Sequence, residues 1–305
     1  MSDRGPRFVW VDGSTRPAQG THLSVFDRGF QLGDGVFETL RVGHGRVSEL
    51  AEHTARLRAS ADTLGITLPT DAGAIIAQGI ADLIAAEGLD APTSNASVRV
   101  TVSRGPIRSR TLLPTESEAV PPTIAIQAWP VVPPRHTPGE LPPAVTLVSS
   151  AIRHDPDNPL VRVKTTSRAE YVYARLEARR AGADDVVFHT TSGHLAEATQ
   201  ASIFLVRVAP DGVGELATPS LECGILPGTT RAWLLDWAAR VGLRPVEGWL
   251  RPEDLATASE AFLSSSVAGV VPIASVDGQL IGDGRPGPWT IRARTDRERH
   301  IVEGV

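Results

Sequence analysis

Residues 129–143 read WPVVPPRHTPGELPP. Proline lacks a backbone N–H and fixes φ, so six prolines and a glycine in one stretch break helix and strand alike. The stretch therefore predicts a linker between two domains. Upstream of it, RFVWVD (7–12), VFETLRV (36–42), SVRVTVS (97–103) and TIAIQA (123–128) read as strands. ELAEHTARLRASADTL (49–64) and residues 71–87 carry apolar residues at helical spacing. Downstream, strands are expected at 145–150, 185–189, 202–208 and 261–264. Helices are expected at 169–181 (AEYVYARLEARRA) and 230–241 (TRAWLLDWAARV), with a short one within 252–260. The expected organisation is an N-terminal α/β domain over 1–128, the linker at 129–143, a second α/β domain over 144–284 and a polar surface tail over 285–305.

The 305 residues are 41% hydrophobic and 21% charged, with a formal net charge of -5. These values predict a soluble globular protein with ample core. A mildly acidic chain argues against nonspecific nucleic-acid binding. The single cysteine, Cys223, excludes an intramolecular disulfide and a multi-cysteine metal site, and no metal is expected. No stretch is apolar enough to span a bilayer, and the first residues lack a signal core. A reducing, cytoplasmic setting is expected.

Lysine and arginine together total 30, and Lys164 is the only lysine. A coding bias towards arginine accounts for the imbalance. Under such a bias, a surviving lysine marks a position that arginine cannot fill. Arginine stays protonated, whereas lysine can lose its proton and act as an amine nucleophile. Lys164 is thus a candidate chemical residue, against the plain reading of chance survival.

Other segments carry chemistry less decisively. GILPGTTR (224–231) runs into a helix, and its first-turn amides, dipole and two threonine hydroxyls suit a phosphate. The plain alternative is a glycine turn with a threonine cap. Ser264, Ser265 and Ser266 end a strand and offer hydroxyls, or form an ordinary polar loop. Gly33-Asp34-Gly35 lacks the spacing of a dinucleotide fingerprint and reads as a turn before Val36. His53 and Arg56 share a helix face, where a surface ion pair is the usual explanation for such an arginine. Glu197 lies between apolar strands near a turn, either exposed at a strand end or paired inside.

Taken in order, FDRGFQLGDGVFETLRV, EHTARL, VRVKTTSR, GHLAEATQASIF, GILPGTTR and FLSSSVAGVVPI resemble the fold-type IV pyridoxal-phosphate enzymes. That family includes branched-chain and D-amino-acid aminotransferases, (R)-amine transaminases and aminodeoxychorismate lyases. The likeness spans roughly residues 7–275 in collinear order. It implies a two-domain α/β fold, each domain a sheet or barrel flanked by helices, with pyridoxal 5'-phosphate in the interdomain cleft. It also implies a homodimer whose partner contributes to the pocket.

The resemblance implies a role for each matched residue. Lys164 matches the Schiff-base lysine, and Glu197 the carboxylate bonded to the cofactor's pyridine nitrogen. Arg56 matches the phosphate arginine. Thr229, Thr230 and Ser266 match the remaining phosphate-side positions, and Leu226 a residue packed on the ring. Phe37 matches an aromatic residue facing the substrate. Arg104, Arg108 and Arg110 fall where some members place an arginine for the substrate carboxylate. Many members carry a tyrosine five residues after the lysine; here that position is Ala169, with Tyr171 nearby.

The activity implied is transamination between an amino acid, small or branched and apolar, and a 2-oxo acid. Phe37 and the GILPGTTR block favour it. The alternatives are a 4-amino-4-deoxychorismate lyase releasing pyruvate and 4-aminobenzoate, and a non-catalytic protein on the same fold. Need for a 2-oxo acid separates the two enzymes.

Overall fold

The computed structural model describes residues 5–131 and 143–303, which divide into two compact units. The first takes the chain up to the linker and adds Val163–Arg168; the second holds the remainder. Trp129 and Pro130, expected in the linker, are the last residues of a strand. Residues 132–142 lie outside the described residues.

The first unit runs β1 (Phe8–Val11), β2 (Ser14–Pro17), α1 (Arg28–Leu32), β3 (Gly35–Gly43), β4 (Arg46–Val47), α2 (Leu50–Thr63), α3 (Ala72–Glu87), β5 (Asn95–Ser103) and β6 (Thr123–Pro130). Its sheet has the order β2-β1-β6-β5-β3-β4, antiparallel throughout. Side chains alternate across a strand. Val36, Leu40, Val98, Val100 and Ile126 therefore meet Leu57, Ala61, Ile76, Ile80 and Leu83 from α2 and α3 in one core. Each fully buried leucine or isoleucine there contributes about 1.5–3 kcal/mol of hydrophobic stabilisation. The same alternation sends Glu38 towards α2, and Phe37, with Arg99 on β5, to the opposite face. The turn before β3 needs Gly33, whose φ of 66° lies in the left-handed region.

The second unit comprises β7 (Val145–His154), α4 (Ala169–Ala181), β8 (Asp185–Thr190), β9 (Leu195–Ala198), β10 (Ser202–Val208), β11 (Gly214–Pro219), α5 (Thr229–Val241), β12 (Arg244–Gly248), α6 (Pro252–Thr257), β13 (Glu260–Ser265), β14 (Gly269–Val276), β15 (Gln279–Leu280) and α7 (Pro288–Glu303). Its strands follow β12-β11-β10-β13-β14-β7-β8-β9, and β15 pairs with β14. One further pair, Ser202 with Glu197, joins β9 back to β10. The strands β10, β13, β14, β7, β8 and β9 thus close into a ring of six. Ring closure leaves no free edge along that path.

Residues 285–305, expected as a surface tail, carry α7 instead. It packs on β13 and β14 and buries Thr290, Ala293, Arg294, Arg297 and Ile301. The buried positions recur at helical spacing, but most are polar residues. A search for apolar periodicity passes over them. Among the described residues, no helix is long and apolar enough to cross a membrane.

Candidate functional site

Lys164 lies beside β3, and backbone hydrogen bonds fix it there. Phe37 N donates to Lys164 O at 2.9 Å, Thr166 N donates to Gly35 O at 2.8 Å, and Val36 bridges Thr165. The Thr166 hydroxyl donates to Gly33 O at 2.7 Å. This docking brings Lys164 Nζ to 4.8 Å from the centre of the Phe37 ring. The guanidinium of Arg99 covers the same ring at 3.7 Å, and Arg168 stands at 5.9 Å. Such contacts place cations over the negative face of an aromatic ring.

Arg99 donates to the Thr101 hydroxyl at 3.2 Å, and no carboxylate among the described residues pairs with it. Burial, then the nearby charge of Arg168, pulls its pKa below the usual arginine value. Sequence reading passed Arg99 over as one polar residue of an alternating strand. The signal was its position on the face of the sheet that also carries Phe37.

On the other face of β3, Glu38 accepts from Arg56 through both oxygens. Nε donates to Oε1 at 2.7 Å and an Nη2 hydrogen goes to Oε2 at 2.6 Å. His53 Nδ1 is 2.7 Å from Oε2. An ionised carboxylate can only accept, so Nδ1 carries the hydrogen. Arg56 is ion-paired, but not on the surface as expected: its partner comes from the neighbouring strand and the pair is buried, with side chains 10% and 2% exposed. Burial pushes the Glu38 pKa up. Hydrogen bonds from Arg56 and His53, with their charges, outweigh that and hold it at about 2.

A carboxylate depressed from 4.5 to about 2 stabilises the fold above its unfolded value. That contribution, about 3 kcal/mol, is expected to fade as pH falls from about 4.5 towards 2. Urea unfolding midpoints measured at pH 7, 4 and 3 would show the decline. A midpoint flat across that range would refute it.

Arg104 donates to Asp34 from Nε at 2.8 Å and from Nη2 at 3.0 Å, and reaches the carbonyls of Leu64 and Gly65. Arg28 shares Asp34 and holds the carbonyls of Thr111 and Leu112. Arg104 is thus committed to bracing the turn before β3, and a substrate carboxylate would have to displace Asp34. Arg108 lies 5.2 Å over the Phe26 ring, and Arg110 is exposed.

In the second unit the ring closure aligns three polar residues, since Ser202 pairs with Glu197 on one side and Ser264 on the other. Glu197 is buried and accepts from Leu226 N at 3.2 Å. Beside this row, Gly228 precedes α5. A Cβ there would come within 3.1 Å of Ser202 Oγ, a tight contact that glycine avoids. No side chain caps α5 at Gly228. The Thr229 hydroxyl lies 3.3 Å from that of Ser266. Ser264 Oγ is buried without a hydrogen-bond partner.

The first-turn amides of α5, the neighbouring hydroxyls of Thr229 and Ser266, and the Ser264 hydroxyl, without a partner among the described residues, fit a phosphate. The buried Glu197 fits a protonated ring nitrogen. Tyr171, by contrast, belongs to an aromatic cluster in this unit's core, edge-on to Phe188 at 5.5 Å.

A family model described as amino-transferase class IV matches residues 35–276. A Methanocaldococcus jannaschii protein, provisionally named a branched-chain-amino-acid aminotransferase, is 31% identical over 282 residues, covering 92% of each chain. The aminodeoxychorismate lyase of Bacillus subtilis is 28% identical over 269 residues, 88% of this chain and 86% of its own. The branched-chain aminotransferase of Thermoproteus uzoniensis, solved with norvaline, superimposes with a TM-score of 0.83. It shares 25% identity and covers 98% of this chain and 96% of that one.

Proposed function

Because this chain belongs to the class IV aminotransferases, we propose that it moves an amino group from a small or branched apolar amino acid to a 2-oxo acid. Pyridoxal phosphate is the cofactor, joined to Lys164. One observation carries the reading. The only lysine is pinned by its backbone to β3, with its amine on the Phe37 ring and two guanidiniums on the same ring.

When bound, pyridoxal phosphate supplies a carbonyl for the amine and a ring that takes up the electrons of the broken Cα–H bond. The chain's own residues do the rest. Lys164 Nζ would hold the cofactor and, once free, would carry the proton removed from the substrate Cα. Glu197 keeps the pyridine nitrogen protonated. Arg56, Thr229, Thr230 and Ser266 hold the phosphate, and Leu226 packs on the ring. Glu38 keeps the Arg56 guanidinium in one orientation. Arg99, lacking a carboxylate partner among the described residues, receives a carboxylate of the substrate. The amino donor leaves as a 2-oxo acid, and the incoming 2-oxo acid leaves as an amino acid.

Purified protein is expected to absorb at about 410–430 nm, the band of the cofactor attached to lysine. Adding L-leucine should convert that band to the shorter-wavelength pyridoxamine form, and a 2-oxo acid should restore it. Release of pyruvate with no 2-oxo acid added would place the chain with the lyases. Absence of the band after adding pyridoxal phosphate would end the cofactor reading. Arg99→Gln is expected to raise KM for the 2-oxo acid by about 10–100-fold, the worth of a charge-assisted hydrogen bond. An unchanged KM in steady-state assays removes Arg99 from the substrate site.

The first unit also supports the homodimer. Phe30 on α1, with Leu112 and Leu113 on the loop whose carbonyls Arg28 holds, are 74%, 82% and 70% exposed. A second copy burying that apolar face would explain it.

A further inference from the structure

Helix α7 binds the elements that carry the candidate phosphate residues. Asp296 accepts from Trp237 Nε1 on α5 at 2.9 Å, and Arg294 donates to Val270 O just after the Ser266 turn at 3.1 Å. Directly after these anchors, Arg297 is 1% exposed. Its Nη2 donates to Thr230 Oγ1 at 3.2 Å, and its guanidinium lies 5.2 Å over the Trp233 ring.

A hydroxyl has one hydrogen to donate and two lone pairs to accept with, whereas guanidinium only donates. With a lone pair of Thr230 Oγ1 engaged by Arg297, the threonine's own hydrogen points elsewhere. A phosphate needs donors, and the amides of the first turn of α5 supply them in the same place.

We propose that Arg297 is a positioning residue for the cofactor phosphate. By occupying the acceptor side of the Thr230 hydroxyl, it fixes that hydroxyl as a donor at the N-terminus of α5. Its buried charge adds to the positive end of the helix. The inference rests on reading this terminus as the phosphate site of pyridoxal phosphate.

The test is cofactor affinity, measured by titrating pyridoxal phosphate into apo-protein and following absorbance and the phosphorus-31 resonance. Arg297→Met is expected to weaken binding about 10-fold, the effect of losing one charge-assisted hydrogen bond. Arg297→Gln keeps an N–H donor without the charge and should fall between Met and wild type. Thr230→Val should weaken binding comparably, and adding Arg297→Met to it should weaken binding little further, because the two act as one unit.

Asp296→Ala loosens α7 without touching Thr230, so it should lower Tm and leave cofactor affinity in place. Arg297→Met binding within about two-fold of wild type, losses that multiply in the double variant, or an affinity loss in Asp296→Ala would each overturn the proposal. Wild-type protein that binds no pyridoxal phosphate would overturn the cofactor reading, and this inference with it.

Discussion

Replacing Lys164 with arginine is expected to abolish turnover and the band at about 410–430 nm together. Arginine preserves the positive charge and much of the length, and it can still lie over the Phe37 ring. It cannot offer an uncharged amine. The backbone bonds that hold residue 164 to β3 use main-chain atoms, so the substitution leaves them intact. Folding should therefore survive, and only chemistry should fail. On the proposed roles of attachment point and proton carrier, the loss should be a factor of about 10³ or more in kcat. Single-turnover assays with a full circular dichroism spectrum would check it. A variant retaining more than a few per cent of wild-type rate would show that Lys164 is not the reacting amine.

The second large effect is on stability. Glu38→Ala is expected to cost the first unit about 3–5 kcal/mol, because it strands a buried guanidinium and a buried imidazole. Arg56 and His53 are 10% and 1% exposed at their side chains, so water cannot replace the lost carboxylate. At about 2–4 °C per kcal/mol, Tm should fall by roughly 10 °C. Glu38→Gln keeps hydrogen-bond acceptance and loses the charge, so it should fall between. The Ala variant should also lose the acid-dependent decline below pH 4.5 that ionised Glu38 contributes. A Tm within a degree or two of wild type would mean that Arg56 and His53 find water or another partner.

Much of this was legible in the sequence, and the exceptions have physical causes. Strands such as β5 announce themselves by alternation, and α2, α3, α4 and α5 by helical spacing. Its solitude among 29 arginines singles out Lys164 from the sequence alone. Strand β9 escaped because four residues, one of them Glu197, carry little pattern by themselves. Its existence depends on partners at Ser202 and in β8. Helix α7 escaped because arginine, threonine and alanine occupy its buried face.

Arg104 and Arg99 look alike in sequence, each a cation in or just after the same strand. Only the register of β5 against β3 sets Arg99 beside Phe37, while Asp34 claims Arg104. Glu38 was equally hidden, since nothing local tells which face of β3 meets α2.

The return of Val163–Arg168 to the first unit has a consequence for modularity. A gene cut at the proline-rich linker yields a first half without its lysine and without the residues that bond Phe37 N and Gly35 O. Each unit is compact by itself, yet their sequences interleave. Exchange of halves between relatives, by recombination or by design, therefore succeeds only if the short insert travels with β3. The segment that carries Lys164 is inherited with the fold of one unit and the chain order of the other.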